Sequence, residues 1–305
     1  MLSVLPVVLL FPLHLTLQLI NIAFWAILIV CFGLIKLVLP FPALLKYCNR
    51  LLNFMLFAFS ILSVKLIKLF NRVELDYKID GVLSKDDWYL MIPNHLSWLD
   101  IVILTEFAAD KIPAPKFFLK RELIWLPFVG VGAWALDMPF MQRYSSAFIA
   151  KNPHLKGKDI ETTKKSCEKF KLLPTTVINF VEGSRFTPDK HRLRNSPFRQ
   201  LLPPKAGGIA FTLAAMGQLF TALIDVTIRY PDTPGSPMLA MLGGRLHKVV
   251  LRVKVTAINP AMIGDYFNND DFKLSFQRWL NELWLEKDQL ICELEQKQRE
   301  NQSTN

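Results

Sequence analysis

The chain has 305 residues, 51% of them apolar, and 36 Lys and Arg against 26 Asp and Glu give it a formal charge of +10. That length holds one large domain or two small ones, and the positive mean hydropathy means that part of the chain meets lipid. Four cysteines, Cys31, Cys48, Cys167 and Cys292, stand far apart with no C-x-x-C; this excludes a disulfide framework and a cysteine zinc site and points to a reduced, cytoplasm-facing domain.

Residues 1–35 carry no Lys, Arg, Asp or Glu, and the core of this run is Leu19 to Ile35. About 20 apolar residues span a bilayer as a helix. The run is too long for one straight span and too short for two spans with a turn. Two geometries remain: a single tilted span with an interfacial start broken near Pro6 and Pro12, or a helical hairpin dipping into one leaflet. A cleaved signal peptide is not expected, for want of a basic leading region and a small-residue cleavage site. Positive charge begins at Lys36 and continues with Lys46, Arg50, Lys65, Lys68 and Arg72, so the positive-inside rule turns the C-terminal end of the run to the cytoplasm. Pro40-Phe41-Pro42 breaks the helix there. Leu51 to Val64 reads either as an amphipathic helix at the headgroup level or as a buried core helix. A basic balance suits nucleic acid, anionic lipid and phosphorylated substrates alike; the apolar start favours lipid, and only the net charge speaks for nucleic acid.

From Val73 the composition changes. Val73 to Ile79 and Trp88 to Ile92 read as strands, Ser97 to Phe107 as a helix, and Lys116 to Leu119 and Ala133 to Met138 as apolar runs of strand-like length. Pro113, Pro115, Pro127, Gly130 and Gly132 punctuate the region as loops. A basic loop, Lys151 to Lys158, precedes a helix over Asp159 to Leu172 and a β-branched strand over Thr175 to Val181. A loop from Glu182 to Pro204 leads into a helix over Ala206 to Met216. Strands over Leu223 to Tyr230 and Lys248 to Thr256 follow, then a long helix over Asp271 to Arg299 and a frayed tail from Asn301. The alternation predicts an α/β fold, a mixed or mostly parallel sheet with flanking helices, preceded by N-terminal membrane-embedded helices. The chain divides into a membrane segment and interfacial helix at 1–72, a main domain at 73–260 and a C-terminal helix and tail at 261–305.

Chemistry gathers at four places. His95 precedes Asp100 by five positions after the strand ending near Ile92. A neutral imidazole can take a proton from an alcohol, while a carboxylate holds the ring in one tautomer. Five residues lie about 140° apart on a helix, so the pair needs a strand, a tight turn and a helix start. The same stretch also fits a capping box, with Ser97 as N-cap and Asp100 at the third helical position. The second place is Glu182-Gly183-Ser184-Arg185, directly after a strand. It reads as a phosphate or carboxylate seat, with Gly183 allowing close approach, Arg185 offering a planar fork, and Glu182 orienting that arginine or accepting from a substrate hydroxyl. Alone it fits a turn with a surface ion pair equally well. Arg143 ends an apolar run, Pro139 to Met141, and Lys205 stands before a helix N-terminus.

These four elements in this order resemble the lysophosphatidic acid acyltransferase family of PlsC-like glycerolipid acyltransferases. That family carries an N-H-x4-D block, a block ending F-x-x-R, an E-G-T-R block and a later proline-containing apolar block. Here they stand as Asn94 to Asp100, Phe140 to Arg143, Glu182 to Arg185 with Ser184 in the threonine's place, and, loosely, Pro203 onwards or Ala222 to Thr227. Val181 to Thr187 with Lys190-His191 is similar to the subgroup with E-G-T-R-F-T-x-x-K-H. The resemblance covers about residues 73–230. It implies that His95, held by Asp100, deprotonates the free hydroxyl of a lysophospholipid, most simply 1-acylglycerol 3-phosphate, for direct attack on an acyl thioester. It implies Arg143, Glu182, Gly183, Ser184, Arg185 and Lys205 as substrate-binding residues, no metal and no cofactor beyond acyl-CoA or acyl carrier protein as co-substrate. It further implies an anionic membrane surface as partner, and the cytoplasmic side of a bacterial inner membrane as location. The residues show no activated nucleophile: there is no G-x-S-x-G elbow, and Cys167 lies in an ordinary helix. The five histidines, His14, His95, His154, His191 and His247, show no zinc spacing. Two other readings stay open, a thioesterase or lipid hydrolase with the same dyad and a non-catalytic membrane-surface scaffold.

Overall fold

The computed structural model describes residues 2, 5–39, 41–126, 128–141, 170, 173–233 and 235–303. The chain opens on two long helices, α1 (Val7–Val38) and α2 (Pro42–Phe70), both long and apolar enough to cross a membrane. Pro6 stands at the N-cap of α1, and the helix runs unbroken through Pro12, where one backbone bond near a helix end is all that proline removes. Pro42 sits at the first position of α2, where its missing N–H costs nothing. The expected short helix over Leu51 to Val64 is the middle of this longer one. Its inner face, with Leu52, Met55, Leu56, Val64 and Ile67, belongs to the main hydrophobic core.

The two helices run antiparallel, joined by a polar seam. Gln18 Nε2 donates to the Ser63 carbonyl, Asn21 Nδ2 to Ser63 Oγ at 2.8 Å, and Lys36 Nζ to Asn49 Oδ1 at 3.0 Å. Both ends of α1 touch the domain that follows. Near its start Leu10 lies so close to Gly244 that a Cβ there would stand 2.8 Å from its methyl carbon. Near its end a Cβ on Gly33 would meet that of Ala135 at 2.4 Å, and Lys36 pairs with Asp137. The hairpin therefore lies along the domain. At the end of α2, Asn71 donates to the Ile67 and Met241 carbonyls and accepts from Leu246 N–H.

The domain is a six-stranded sheet with β1 (Glu74–Asp80), β2 (Tyr89–Pro93), β3 (Pro115–Phe117), β6 (Thr176–Ile178), β7 (Ala222–Arg229) and β8 (Lys248–Ala257). Its order is β1-β8-β7-β2-β6-β3, and every pairing is parallel except β7 with β8. A parallel sheet needs cover on both faces. Tyr89 and Met91 of β2 face the core shared with α2 and α3 (Leu99–Ala109). Leu90 and Ile92 face a second core with α6 (Ala206–Met216) and α8 (Asp270–Ser303). This is the expected fold class, a mixed, mostly parallel sheet flanked by helices and preceded by two apolar helices.

Four local expectations change. Lys116 to Leu119 splits between β3 and a short strand, β4 (Leu119–Lys120), which pairs with β5 (Phe140–Met141). Ala133 to Met138 is not strand: residues Val129–Ala135 form helix α4, with Gly130 inside it. A Cβ on Gly130 would stand 2.2 Å from the Ile124 carbonyl oxygen, so glycine here lets the 3-10 turn Arg121–Trp125 pack against the helix. The loop from Glu182 to Pro204 contains α5 (Pro188–Leu193), capped by Thr187 and opened by Pro188. A further short helix, α7 (Pro237–Leu242), precedes β8. The helix expected to fade at Asn301 continues to Ser303. The basic loop Lys151 to Lys158, Cys167 and most of the helix expected over Asp159 to Leu172 lie outside the described residues.

Candidate active site

Strand β2 lies between β7 and β6, parallel to both. The chain segments that leave these three strands therefore emerge at one edge of the sheet, where open α/β sheets place ligands. They bring together His95 after β2, Glu182 to Arg185 after β6, and Tyr230 after β7. Asn94 closes the end of β2: Nδ2 donates to the Ile228 carbonyl at 3.1 Å and Oδ1 accepts from Ile228 N–H at 2.7 Å.

The turn from Asn94 to Trp98 is wound around one carboxylate. Asp100, fully buried in the first turn of α3, accepts from His95 Nδ1 at 2.8 Å, Leu96 N–H at 2.7 Å and Ser97 N–H at 2.8 Å through Oδ2. Tyr230 donates its hydroxyl to Oδ1 at 2.6 Å. Burial pushes the Tyr230 phenol well above its ordinary range, so it remains a donor. Helix α3 begins at Leu99 with Trp98, not Ser97, at its N-cap, so Asp100 is its second residue, not its third; the carboxylate that ties the turn through Ser97 N–H also grips the imidazole. A carboxylate can only accept, which puts the proton of neutral His95 on Nδ1 and leaves the Nε2 lone pair bare. Nε2 has no hydrogen-bond partner among the described residues. The ring is stacked on Phe180 at 4.0 Å between centroids, and 13% of the His95 side chain is exposed.

Glu182 occupies a different place from the one expected. It is fully buried and touches neither Arg185 nor an open surface. Oε1 accepts from His95 N–H at 2.8 Å and Oε2 from Leu202 N–H at 3.0 Å. Burial pushes its carboxyl up to about 7, against the pull of those two N–H groups and of Lys287. Its work is therefore to hold the main chain of His95, which Phe186 N–H, donating to the His95 carbonyl at 2.7 Å, steadies from the other side.

The rest of the motif faces outward. Gly183 adopts φ +68°, and the Lys205 side chain crosses it so closely that a Cβ would lie 3.2 Å from Cδ. Arg185 is exposed, its guanidinium 4.9 Å from the Trp98 ring centroid. Ser184 Oγ accepts from Arg194 at 2.8 Å, and the same guanidinium donates to the Glu182 carbonyl at 3.0 Å. Lys205 thus lies against the Gly183 turn, while Arg185, two residues on, turns to Trp98. Arg143 lies outside the described residues. Among the described residues no three or more His, Cys, Asp or Glu gather as a metal site would require. Tyr230, Arg194 and the Phe180 platform were not foreseen. Tyr230 could have been suspected as a polar aromatic closing an apolar strand; Arg194 leaves no signal in the sequence.

The family model described as Acyltransferase matches residues 76–231. 1-acyl-sn-glycerol-3-phosphate acyltransferase 3 of Arabidopsis thaliana is 24% identical over 212 residues, 65% of this chain and 51% of that protein. 1-acyl-sn-glycerol-3-phosphate acyltransferase delta of Homo sapiens is 24% identical over 183 residues, 57% of this chain and 43% of that protein. The chain thus spans about half the length of these relatives. The crystal structure of PlsC, the 1-acyl-sn-glycerophosphate (LPA) acyltransferase of Thermotoga maritima, shares the fold with a TM-score of 0.53 at 15% identity, over 92% of this chain and 97% of that one.

Proposed function

Since the chain belongs to the acyltransferase family, we propose that it moves a fatty acyl group from a thioester, acyl-CoA or acyl carrier protein, to the free hydroxyl of a lysophospholipid, 1-acylglycerol 3-phosphate in the first instance, giving phosphatidic acid. The observation that carries this reading is the buried Asp100 carboxylate on His95 Nδ1, which turns Nε2 outward as a base. The acceptor hydroxyl gives its proton to Nε2 while its oxygen attacks the thioester carbonyl carbon. The C–S bond then breaks, and the departing thiolate takes the proton back from the imidazolium. Asp100 and Tyr230 hold the ring through both transfers. Arg185 and Lys205, with Arg143, bind the phosphate of the acceptor, and Gly183 leaves room for it.

The hairpin supports a membrane location. A helix that crosses a bilayer beneath a domain meets that domain at one end only, whereas α1 meets it at both. Exposed Leu9, Leu13, Ile20, Phe24, Ile27 and Leu34 recur every three, four or seven residues along α1. This stripe fits immersion in a single leaflet with the catalytic edge at the lipid surface; the cytoplasmic side of a bacterial inner membrane is the location we propose for it. Cys31, Cys48 and Cys292 are free thiols, in keeping with a reducing compartment.

The test is acyl transfer by detergent-purified protein, with labelled acyl-CoA and acyl carrier protein offered against a panel of lysophospholipids. His95→Ala is expected to fold and to lose about 10² to 10⁴ in rate, the usual worth of a general base. Undiminished transfer by that variant would remove His95 from the role. Thioester cleavage that needs no acceptor would make the protein a hydrolase.

A further inference from the structure

Between Glu122 and Asp137 the chain carries no charged, hydroxyl or amide side chain. Such a run suits a core, yet much of it lies outside. Trp125 is 86% exposed, and Leu126, Phe128, Val129, Val131 and Trp134 are exposed with it. Gly130 lets the 3-10 turn Arg121–Trp125 fold back on α4, so these side chains gather in one knob. Single apolar side chains on a surface need no explanation, whereas a contiguous group marks an interface. Phe128 holds φ +63°, a conformation that strains any side chain, and nearly half of it is exposed, so packing within the domain uses only part of its ring.

The knob is fastened to the hairpin and to the sheet. Lys36, near the end of α1, donates to the Ala135 carbonyl at 3.2 Å and pairs with Asp137, while Lys116 of β3 donates to the Leu136 carbonyl at 2.7 Å. A Cβ on Gly33 would lie 3.6 Å from Trp134 Cζ3, and Leu37, one turn further along that face of α1, is exposed. The apolar surface of the knob therefore runs on into that of α1, a helix long and apolar enough to cross a membrane. The path from here to the base is short. Phe117, the residue after Lys116, is stacked on Phe180 at 6.3 Å between centroids, and Phe180 on His95 at 4.0 Å.

We propose that Trp125, Leu126, Phe128, Val129, Val131 and Trp134 form a second lipid-inserting element, which enters the acyl region of the leaflet that holds α1 and sets the catalytic edge against it. Because the two surfaces are continuous, the medium that bathes α1 also bathes the knob. Indole rings favour the boundary between acyl chains and headgroups, and two of the six side chains are tryptophans. The hairpin alone fixes the domain along one line and leaves it free to roll about that line. A second point of insertion, tied to α1 by Lys36 and to β3 by Lys116, removes that freedom and gives His95 one constant height above the lipid.

The proposal rests on the reading of the hairpin as embedded in lipid, and flotation separates the two. The full chain is reconstituted into vesicles of phosphatidylethanolamine and phosphatidylglycerol, with plain acyl chains or with chains brominated near their middle. Tryptophan emission is compared with that of Trp125→Phe, and the difference belongs to Trp125. That share is expected to fall about twofold with the brominated chains and to ignore acrylamide in the water, as an indole within the leaflet does. Quenching by acrylamide alone puts Trp125 in water, and quenching by neither puts it against protein, a second copy included; each result overturns the proposal. Protein that does not float with the vesicles overturns the hairpin reading and the proposal together. A Trp125→Glu, Val131→Glu variant, shown by melting and flotation to be folded and vesicle-bound, is expected to lose about tenfold in rate toward lysolipid in vesicles, since charge is expelled from the acyl region. Its rate toward a short-chain acceptor dissolved as monomers should stay as it was. Unchanged rates on both acceptors overturn the proposal. If the unsubstituted protein transfers no acyl group, the acyltransferase reading falls while the quenching still decides where the knob lies.

Discussion

At Glu182 activity and stability pull against each other. Its carboxyl is pushed up to about 7 by burial, above the ordinary 4.5, so the folded chain binds the proton more tightly than the unfolded one. The stabilisation that follows is complete below about 4.5 and is lost as pH rises through about 7. A difference of that size is worth about 3 kcal/mol. Thermal unfolding from pH 4.5 to 8 should show stability falling over this window, and a Glu182→Gln variant should lack that part of the slope. Turnover should run the other way, because only the charged carboxylate can hold both N–H groups. Tyr230 offers a second check. Tyr230→Phe deletes one bond to Asp100 in a dry site, so it should cost about 1–3 kcal/mol of stability and lower kcat about tenfold with KM unchanged, read by melting and steady-state kinetics. The Tyr230 partner lies 130 positions from Asp100 and is joined to it only by the order of the strands. That is why His95 and Asp100 were readable from local spacing and Tyr230 was not. Glu182 was found but misplaced, since spacing shows that a carboxylate is near the site and not which way it points.

Among the elements, β1, β2, β7 and β8 were readable because each is long enough to show its β-branched or alternating pattern. Helix α4 was not: a six-residue run, apolar but for Asp137, fits either periodicity, and the glycine that admits the neighbouring turn looks like a loop signal. Helix α5 was hidden among charged residues although Thr187-Pro188 is a good helix start. The junction between the hairpin and the domain depends on Asn71, whose amide serves both α2 and the segment after α7. Asn71→Ala strands the buried Leu246 N–H and takes one bond each from the Ile67 and Met241 carbonyls, which keep the main-chain N–H of residue 71 and Gly244 N–H. It should lower stability by about 2–3 kcal/mol and expose the chain near residue 72 to proteolysis, measured by melting and by timed digestion.

For the whole molecule, the two apolar helices are structural members of the catalytic unit. Leu52, Met55, Leu56, Val64 and Ile67 share one core with Ile103, Phe107, Ile224 and Val226. Lys116 of β3 reaches across to Asn53. A chain beginning at Arg72 should therefore fail to give a soluble enzyme and should aggregate on expression, a result that size-exclusion chromatography reads directly. A catalytic edge that cannot be parted from its hairpin has a kinetic consequence. On the proposed function, the quantity His95 samples is the number of lysolipid molecules per unit area of leaflet, not per volume of solution. Inert lipid spread among the substrate slows such an enzyme even when the total amount of substrate is unchanged, while added buffer dilutes the donor and leaves the surface density of the acceptor as it was. On that reading the protein would work in two dimensions on its acceptor and in three on its donor.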